Sequence, residues 1–380
     1  MSETGVPPRA RPFTLLAVNA YWPGLSFMWN SLHVILLPAV LLTFIDDARK
    51  NTALGLLTFV GLIIALIIQP VSGALSDAWP SRFGRRRPLL VLGTLADLLF
   101  LYLIATADSL GSLAAGYIGL QFTSNVAHGP AQGLMHDRVP LSQMGFASGV
   151  KNFLDMAGMV LSALVMGRLI AAENPDLVPA VALVAGLLVA GLLVVVFGVR
   201  ESASGASSPG FRSGVRKAFH LDVRGNTNYW RLVWSRFLFL CGVYGIQAFA
   251  QYFVRDKLHT DNPVKLTGDL MAAIVLSLIA FSILAGYLSD RFGRKPLHAV
   301  AAVLVAVGSL LMMTAVTPTA VLGFGSIVGA GIGLFITANW ALANDLAPAG
   351  EAGKFLGLTN LATAGAGAAS RLAGPGIDAL

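Results

Sequence analysis

Apolar residues run in long blocks along this chain, and the charges that interrupt them fall in clusters. Residues 51–76, 109–135, 177–199, 237–254 and 270–289 contain no Asp, Glu, Lys or Arg, and residues 296–344 contain none either. A helix needs about 20 apolar residues to cross a hydrocarbon core of roughly 30 Å. Each shorter block is therefore one membrane-spanning helix, and the longest is two. Breaks at charges and at Pro, Gly and Asn place spans at 13–45, 52–76, 89–107, 111–136, 145–171, 178–199, 231–256, 266–289, 296–316, 319–344 and 353–374. The pattern predicts an all-α integral membrane protein with eleven spans.

Composition agrees: of 380 residues, 56% are hydrophobic and 12% charged, about half the charge of a soluble domain. If the N-terminus is cytoplasmic, most of the 26 Lys and Arg fall on the inner side, among them Arg82, Arg85, Arg86, Arg87, Arg212, Arg216, Lys217, Arg291, Arg294 and Lys295. Inner loops of membrane proteins carry such an excess. The net charge of +7 is thus a topology signal for a multi-pass protein of the cell (inner) membrane, and no nucleic-acid binding is read into it. Arg9 and Arg11 lead into a first span too long for a cleavable signal peptide. The single cysteine, Cys241, allows no intramolecular disulfide and no thiolate metal cluster.

The chain also repeats itself. GALSDAWPSRFGRRRP (Gly73 to Pro88) follows span 2, and GYLSDRFGRKP (Gly286 to Pro296) follows span 8. At the register those loops set, Asp137, Pro140, Gly145, Gly149 and Asn152 match Asp345, Pro348, Gly353, Gly357 and Asn360. Two copies of one bundle are predicted: an N-terminal half over 1–200, a small, polar, basic cytoplasmic linker over 201–230, and a C-terminal half over 231–380. In that register the partner of span 5 ends where the sequence ends. A twelfth span is therefore expected to be missing, by truncation or because the protein has eleven.

The doubled loop resembles that of the major facilitator superfamily, roughly G-x-x-x-D-R-x-G-R-R/K. The longer first copy, with three arginines before Pro88, is most similar to the sucrose transporter and glycoside-pentoside-hexuronide cation symporter branch. The resemblance implies two six-helix halves, here with the last helix absent, moving solute by alternating access. It implies a conformational latch at Gly73, Asp77, Arg82, Arg85, Arg86, Gly286, Asp290, Arg291 and Arg294. Physically, the two glycines would let a neighbouring helix approach closely, and the aspartates would pair with the arginines or a helix terminus.

Polar groups inside spans are costly and so point to chemistry. Gln121, Asn125, His128, Gln132 and His136 recur at steps of three and four, which draws one stripe along span 4. Trp22, Ser26, Asn30 and His33 on span 1, and Tyr244, Gln247, Gln251 and Arg255 on span 7, repeat the theme. The resemblance implies that spans 1, 4, 7 and 10 line a central cavity. In span 10 the stripe is replaced by Gly325, Gly329 and Gly333, with Trp340 as an aromatic platform. The candidate cavity residues are therefore Asn30, His33, Gln121, Asn125, His128, Gln132, Tyr244, Gln247, Gln251 and Trp340. Amides, imidazoles and aromatic faces suit a neutral polyhydroxyl solute such as a sugar or glycoside; nucleosides and other polar metabolites fit similarly.

Two acids lie at depth as candidate ion-coupling groups. Asp97 has no cationic partner in its own helix, whereas Asp155 follows Lys151 by four residues, which can neutralise it. Arg168 and Arg236 are expected to anchor span ends at the interface. The sequence carries no Gly-Lys-Ser phosphate loop, HExxH helix or GxSxG elbow, so ATP-driven pumping and hydrolysis are unsupported and the protein is not expected to be an enzyme. No cofactor or metal is called for. The expected partners are a small-molecule substrate, a proton or sodium ion and the lipid bilayer, for a monomeric chain. Drug or metabolite export by the same scaffold, and a non-transporting role in pigment assembly, remain the alternatives.

Overall fold

In a computed structural model, residues 11–78, 81–140, 143–170, 176–199, 201, 227–346 and 352–379 are described. Among them every predicted span is a helix. The helices are α1 (Pro12–Phe44), α2 (Lys50–Ala78), α3 (Arg87–Ala105), α4 (Leu110–Arg138), α5 (Met144–Leu169) and α6 (Leu177–Gly198). They continue as α7 (Thr227–Leu258), α8 (Pro263–Phe292), α9 (Arg294–Thr314), α10 (Pro318–Leu346), α11 (Ala352–Arg371) and the short α12 (Gly374–Asp378). Nine of these, among the described residues, are long and apolar enough to cross a membrane by themselves. The two long helices that fall short are α4, which carries the polar stripe, and α11, which is rich in Gly, Ala and Thr.

Local chemistry sets the ends. A reciprocal capping box between Ser109 and Ser112 starts α4. Asn262 accepts from Lys265 N at 2.9 Å with Pro263 behind it, and this starts α8. The repeated loops turn at Gly84 (φ +96°) and Gly293 (φ +86°), a region that side chains disfavour.

Two compact units are present. Unit 1 comprises Met1–Trp29, Ile67–Gly158 and Val178–His220; unit 2 comprises Asn30–Leu66, Met159–Leu177 and Leu221–Leu380. Both cut across α1, α2 and α5, so each groups helix segments that pack together. Of the predicted linker over 201–230, only Glu201 and the start of α7 lie within the described residues.

In unit 1, α4 lies against α2 through Gly129, where a Cβ would overlap Gln69 O and Gly73 N. Ser72 Oγ donates to Asn125 O at 2.9 Å across the same contact. The role expected of Gly73 and Gly286 therefore needs correction. A Cβ at either position would meet no atom within 4 Å, and the close approach beside Gly73 is made by the missing side chain of Gly129.

In unit 2 the glycines of α10 make a close helix contact. Side chains at Gly329 and Gly333 would overlap the carbonyls of Ile274 and Leu278, and one at Gly325 would overlap Leu270. The helices α8 and α10 thus touch almost backbone to backbone. Beside them Leu334, Phe335 and Ala338 pack on Ala285, Leu297 and Ala301, with Phe335 stacked on Phe239.

Within α1, residues Ser31–Leu36 form a π-helical turn in which Leu37 N reaches Leu32 O. Pro38 lacks the N–H that would otherwise bond Val34 O. Gln251 of α7 makes up the loss: with its amide nitrogen turned toward α1, it lies 2.9 Å from Val34 O and 3.0 Å from Ile35 O.

Candidate functional site

Three helices of unit 1 bring polar side chains together at one place. From α5, Lys151 Nζ donates to Asp155 Oδ2 at 2.7 Å. From α1, Ser26 Oγ donates to Asp155 Oδ1 at 2.7 Å, and Trp22 offers its ring face to Lys151 Nζ, 3.9 Å from the centroid. From α4, His128 meets the Trp22 ring edge-on at 5.1 Å, and its Nε2 lies 3.1 Å from Gln132 Nε2. Gln132 is exposed, and Lys151 and Asp155 keep 25% and 22% of their side-chain surface open. Ionised side chains inside a membrane helix pair with one another and face the bundle interior or water, and Lys151 and Asp155 pair here.

Gln121 and Asn125 of the α4 stripe are enclosed, whereas His136 at its far end is exposed. Gln121 Nε2 donates to Tyr117 OH at 2.6 Å, and Asn125 Nδ2 donates to Gln121 O at 2.7 Å. Both residues are buried. Five residues that look equivalent in sequence are thus split between helix packing and an open site. Asp97 is enclosed as well: it is fully buried, accepts from Thr123 Oγ1 at 2.5 Å, and its Oδ2 has no partner among the described residues.

In unit 2, Asn30 Nδ2 donates to Ser162 Oγ at 3.1 Å and to Met159 O at 3.2 Å, which ties α1 to α5. His33 lies in the π-helical turn, half-buried, and Tyr244 and Gln247 are half-buried on α7. Gln251 is buried on the α1 backbone, whereas Trp340 on α10 is 43% exposed. Arg236 departs from its expected role as an interfacial anchor. It is 8% exposed, with NH1 donating to Asn339 Oδ1 at 2.7 Å and Nε to Thr363 Oγ1 at 2.8 Å. It joins α7, α10 and α11 because a buried guanidinium must spend its donors on nearby acceptors. Arg168, exposed near the end of α5, pairs with Asp269 of α8 at 2.7 Å.

The first charged loop forms a dense network in unit 1. Arg86 reaches Asp77, Asp137 (2.9 Å) and Ser76 Oγ (2.5 Å), and its backbone N donates to Glu201 at 3.1 Å. Arg85 adds bonds to Asp137 at 2.5 and 3.1 Å, and that hydrogen bonding pushes its guanidinium pKa above the usual value. Arg82 lies over the neighbouring Phe83 ring. In the second loop, in unit 2, Arg294 pairs with Asp345 and donates to Ala341 O at 2.7 Å. Arg291 donates to Tyr287 OH at 3.4 Å and lies over the Phe292 ring. The Asp290 side chain lies outside the described residues.

A second ring of charge, not anticipated from sequence, lies at the opposite ends of α2 and α7 in unit 2. Asp47 pairs with Arg255 and with Lys50 (3.3 Å), Lys50 with Asp256 (2.6 Å), and Asp256 with Arg255 (3.7 Å). The signal was present in two pairs of charges next to predicted span ends, but nothing in sequence paired them.

Residues 13–370 match the Major Facilitator Superfamily. The chain belongs to the major facilitator superfamily. Its relatives within that superfamily include human Solute carrier family 45 member 3, 32% identical over 105 residues, which are 28% of this chain and 18% of that protein. Human Proton-associated sugar transporter A is 29% identical over 129 residues, 30% of this chain and 17% of the relative. Sucrose transport protein SUC4 of Arabidopsis thaliana is 27% identical over 149 residues, 34% of this chain and 28% of the relative. The chain thus aligns with less than a third of each relative's length. Among solved superfamily structures, a bacterial homologue of the human lysosomal transporter Spinster, inward-facing and unoccupied, superposes with a TM-score of 0.74 at 17% identity. That match covers 96% of this chain and 83% of the other. A D-xylose-proton symporter gives 0.68 at 16%, covering 94% and 89%. At such identities the likeness shows the fold: a multi-pass, all-α major facilitator architecture.

Proposed function

We propose that this protein is a secondary active transporter that moves a small polar solute, a sugar or glycoside, by alternating access, driven by a proton or cation gradient. The observation that carries this reading is the partly open cluster of Ser26, His128, Gln132, Lys151 and Asp155 around the buried ring of Trp22. It combines one flat aromatic face with a ring of hydrogen-bond donors and acceptors, which is what a polyhydroxyl ring with apolar C–H faces requires. The sugar-transporting relatives named above point the same way. In this reading the charged loops after α2 and α8 lie on the cytoplasmic side of the inner membrane with the N-terminus. Their ion pairs form and break as the halves rock, and the Asp47–Lys50–Arg255–Asp256 ring serves the opposite side.

The test is uptake of labelled sucrose, maltose and glucose by proteoliposomes, with and without an inward proton gradient. Gradient-driven uptake is expected for at least one of them, with a loss of roughly tenfold or more in Gln132→Ala, because a site built to hydrogen-bond hydroxyls is weakened when it loses a donor and acceptor. No uptake from correctly folded vesicles, together with gradient-driven efflux or host resistance to toxic compounds, would replace import with export.

A further inference from the structure

We propose that Asp155 is the carboxyl that links proton movement to solute binding, and that Lys151 is the movable group through which the link is made. The inference rests on the transporter reading above and adds its coupling site.

Asp155 lies 11 residues past the start of α5 (Met144–Leu169), roughly 16 Å along the helix and so near mid-membrane. Both of its oxygens are occupied, Oδ2 by Lys151 Nζ and Oδ1 by Ser26 Oγ. The same ammonium lies 3.9 Å from the centroid of the Trp22 ring. Lys151 therefore covers the aromatic face on which a sugar ring would stack, and it is held there by Asp155. The groups packed around the pair are Ser26 and Trp22 from α1, His128 from α4 and Lys151 from α5; among the described residues no other charged side chain is bonded to it.

Two events break this arrangement. When a proton binds Asp155 Oδ2, the carboxylate becomes a neutral acid, the ion pair is lost, and Lys151 is free to leave the ring. When a solute stacks on Trp22, it displaces Lys151 and leaves Asp155 without its counter-charge. Both events expel the same ammonium, so each makes the other easier, and the coupling is reciprocal. Asp97 lacks this geometry. Among the described residues it has no cation within bonding distance, it is fully buried, and its place is in the packing of α3 against α4.

The experiment uses the full chain in nanodiscs and in proteoliposomes. Trp22 emission is isolated as the difference between the chain and Trp22→Phe and titrated with acid in the absence of solute. It is expected to change in the unaltered chain and to stay at its acid value throughout in Asp155→Asn and Lys151→Gln. Labelled sucrose is expected to bind roughly tenfold tighter in acid, within the usual range of coupling between sites, and with no pH dependence in Asp155→Asn. That variant loses gradient-driven accumulation. Asp155→Glu, which restores an acid, regains part of the accumulation, and Asp97→Asn keeps it. A Trp22 signal that ignores pH, or an Asp155→Asn protein that still accumulates solute, overturns the proposal and leaves the pair as a strut between α1 and α5. If Trp22 responds to acid through Asp155 but no sugar is bound or moved, the switch stands and the sugar reading falls.

Discussion

The two copies of the charged loop share one contact and differ in nearly everything around it. In the first copy, Arg86 keeps only 7% of its side chain exposed and divides its donors among Asp77, Asp137 and Ser76, with Arg85 bonded to the same Asp137. In the second, Arg294 occupies the matching place and finds the matching Asp345, yet it keeps 30% of its surface open and its acid 51%. The repeat thus preserves the pair between the loop and the end of the second helix beyond it. Burial decides how much that pair contributes, since water screens an open ion pair and a buried one must be satisfied completely.

The largest expected effect tests this contrast directly. Arg86→Ala removes the buried guanidinium that joins Asp77, Asp137 and Ser76, leaving Asp137 to Arg85 alone, and should cost about 3 kcal/mol, whereas Arg294→Ala should cost about 1 kcal/mol or less. Thermal unfolding of both variants in one detergent would measure the difference, and equal losses would show that burial does not separate the copies. Arg86→Lys should fail to restore stability, because an ammonium cannot serve three acceptors in fixed directions.

A second comparison sets packed glycines against open ones. Gly329→Val must push α10 off the Ile274 carbonyl and should cost about 1–3 kcal/mol. Gly73→Ala enters open space and should lie within about 0.5 kcal/mol of neutral. If unfolding temperatures show Gly73→Ala to be the more damaging, the space around Gly73 must close in another state of the protein, which would revive the close approach first expected there.

The smallest effect concerns the ring at the far ends of α2 and α7. Asp256→Asn should cost no more than about 1 kcal/mol, and the loss should shrink as salt rises, because partly exposed charges are screened. A loss unchanged between low and high salt would place this ring with the buried Arg86 network.

Several of these features are written within single helices. The steps of three and four along α4, the Lys151–Asp155 spacing and the glycine ridge of α10 are properties of a 3.6-residue turn, and so they follow from sequence alone. The places where that reading went astray involve a second helix. Arg236 looked like an interfacial anchor until Asn339 and Thr363, from two other helices, were found to hold it. Gln251 looked like cavity lining until Pro38 left a carbonyl on α1 for it to fill.

By itself, then, the sequence determined the number and position of the described spans, the internal repeat and the membership in a fold family, because the bilayer requires long apolar helices and a duplicated bundle keeps its register. Only the tertiary structure decided which polar residues of one stripe remain open, that Lys151 lies over Trp22, and that Gly129 rather than Gly73 makes the close approach. Those outcomes depend on which face of a helix meets a neighbour distant in sequence, and the periodicity of one helix carries no information about the next.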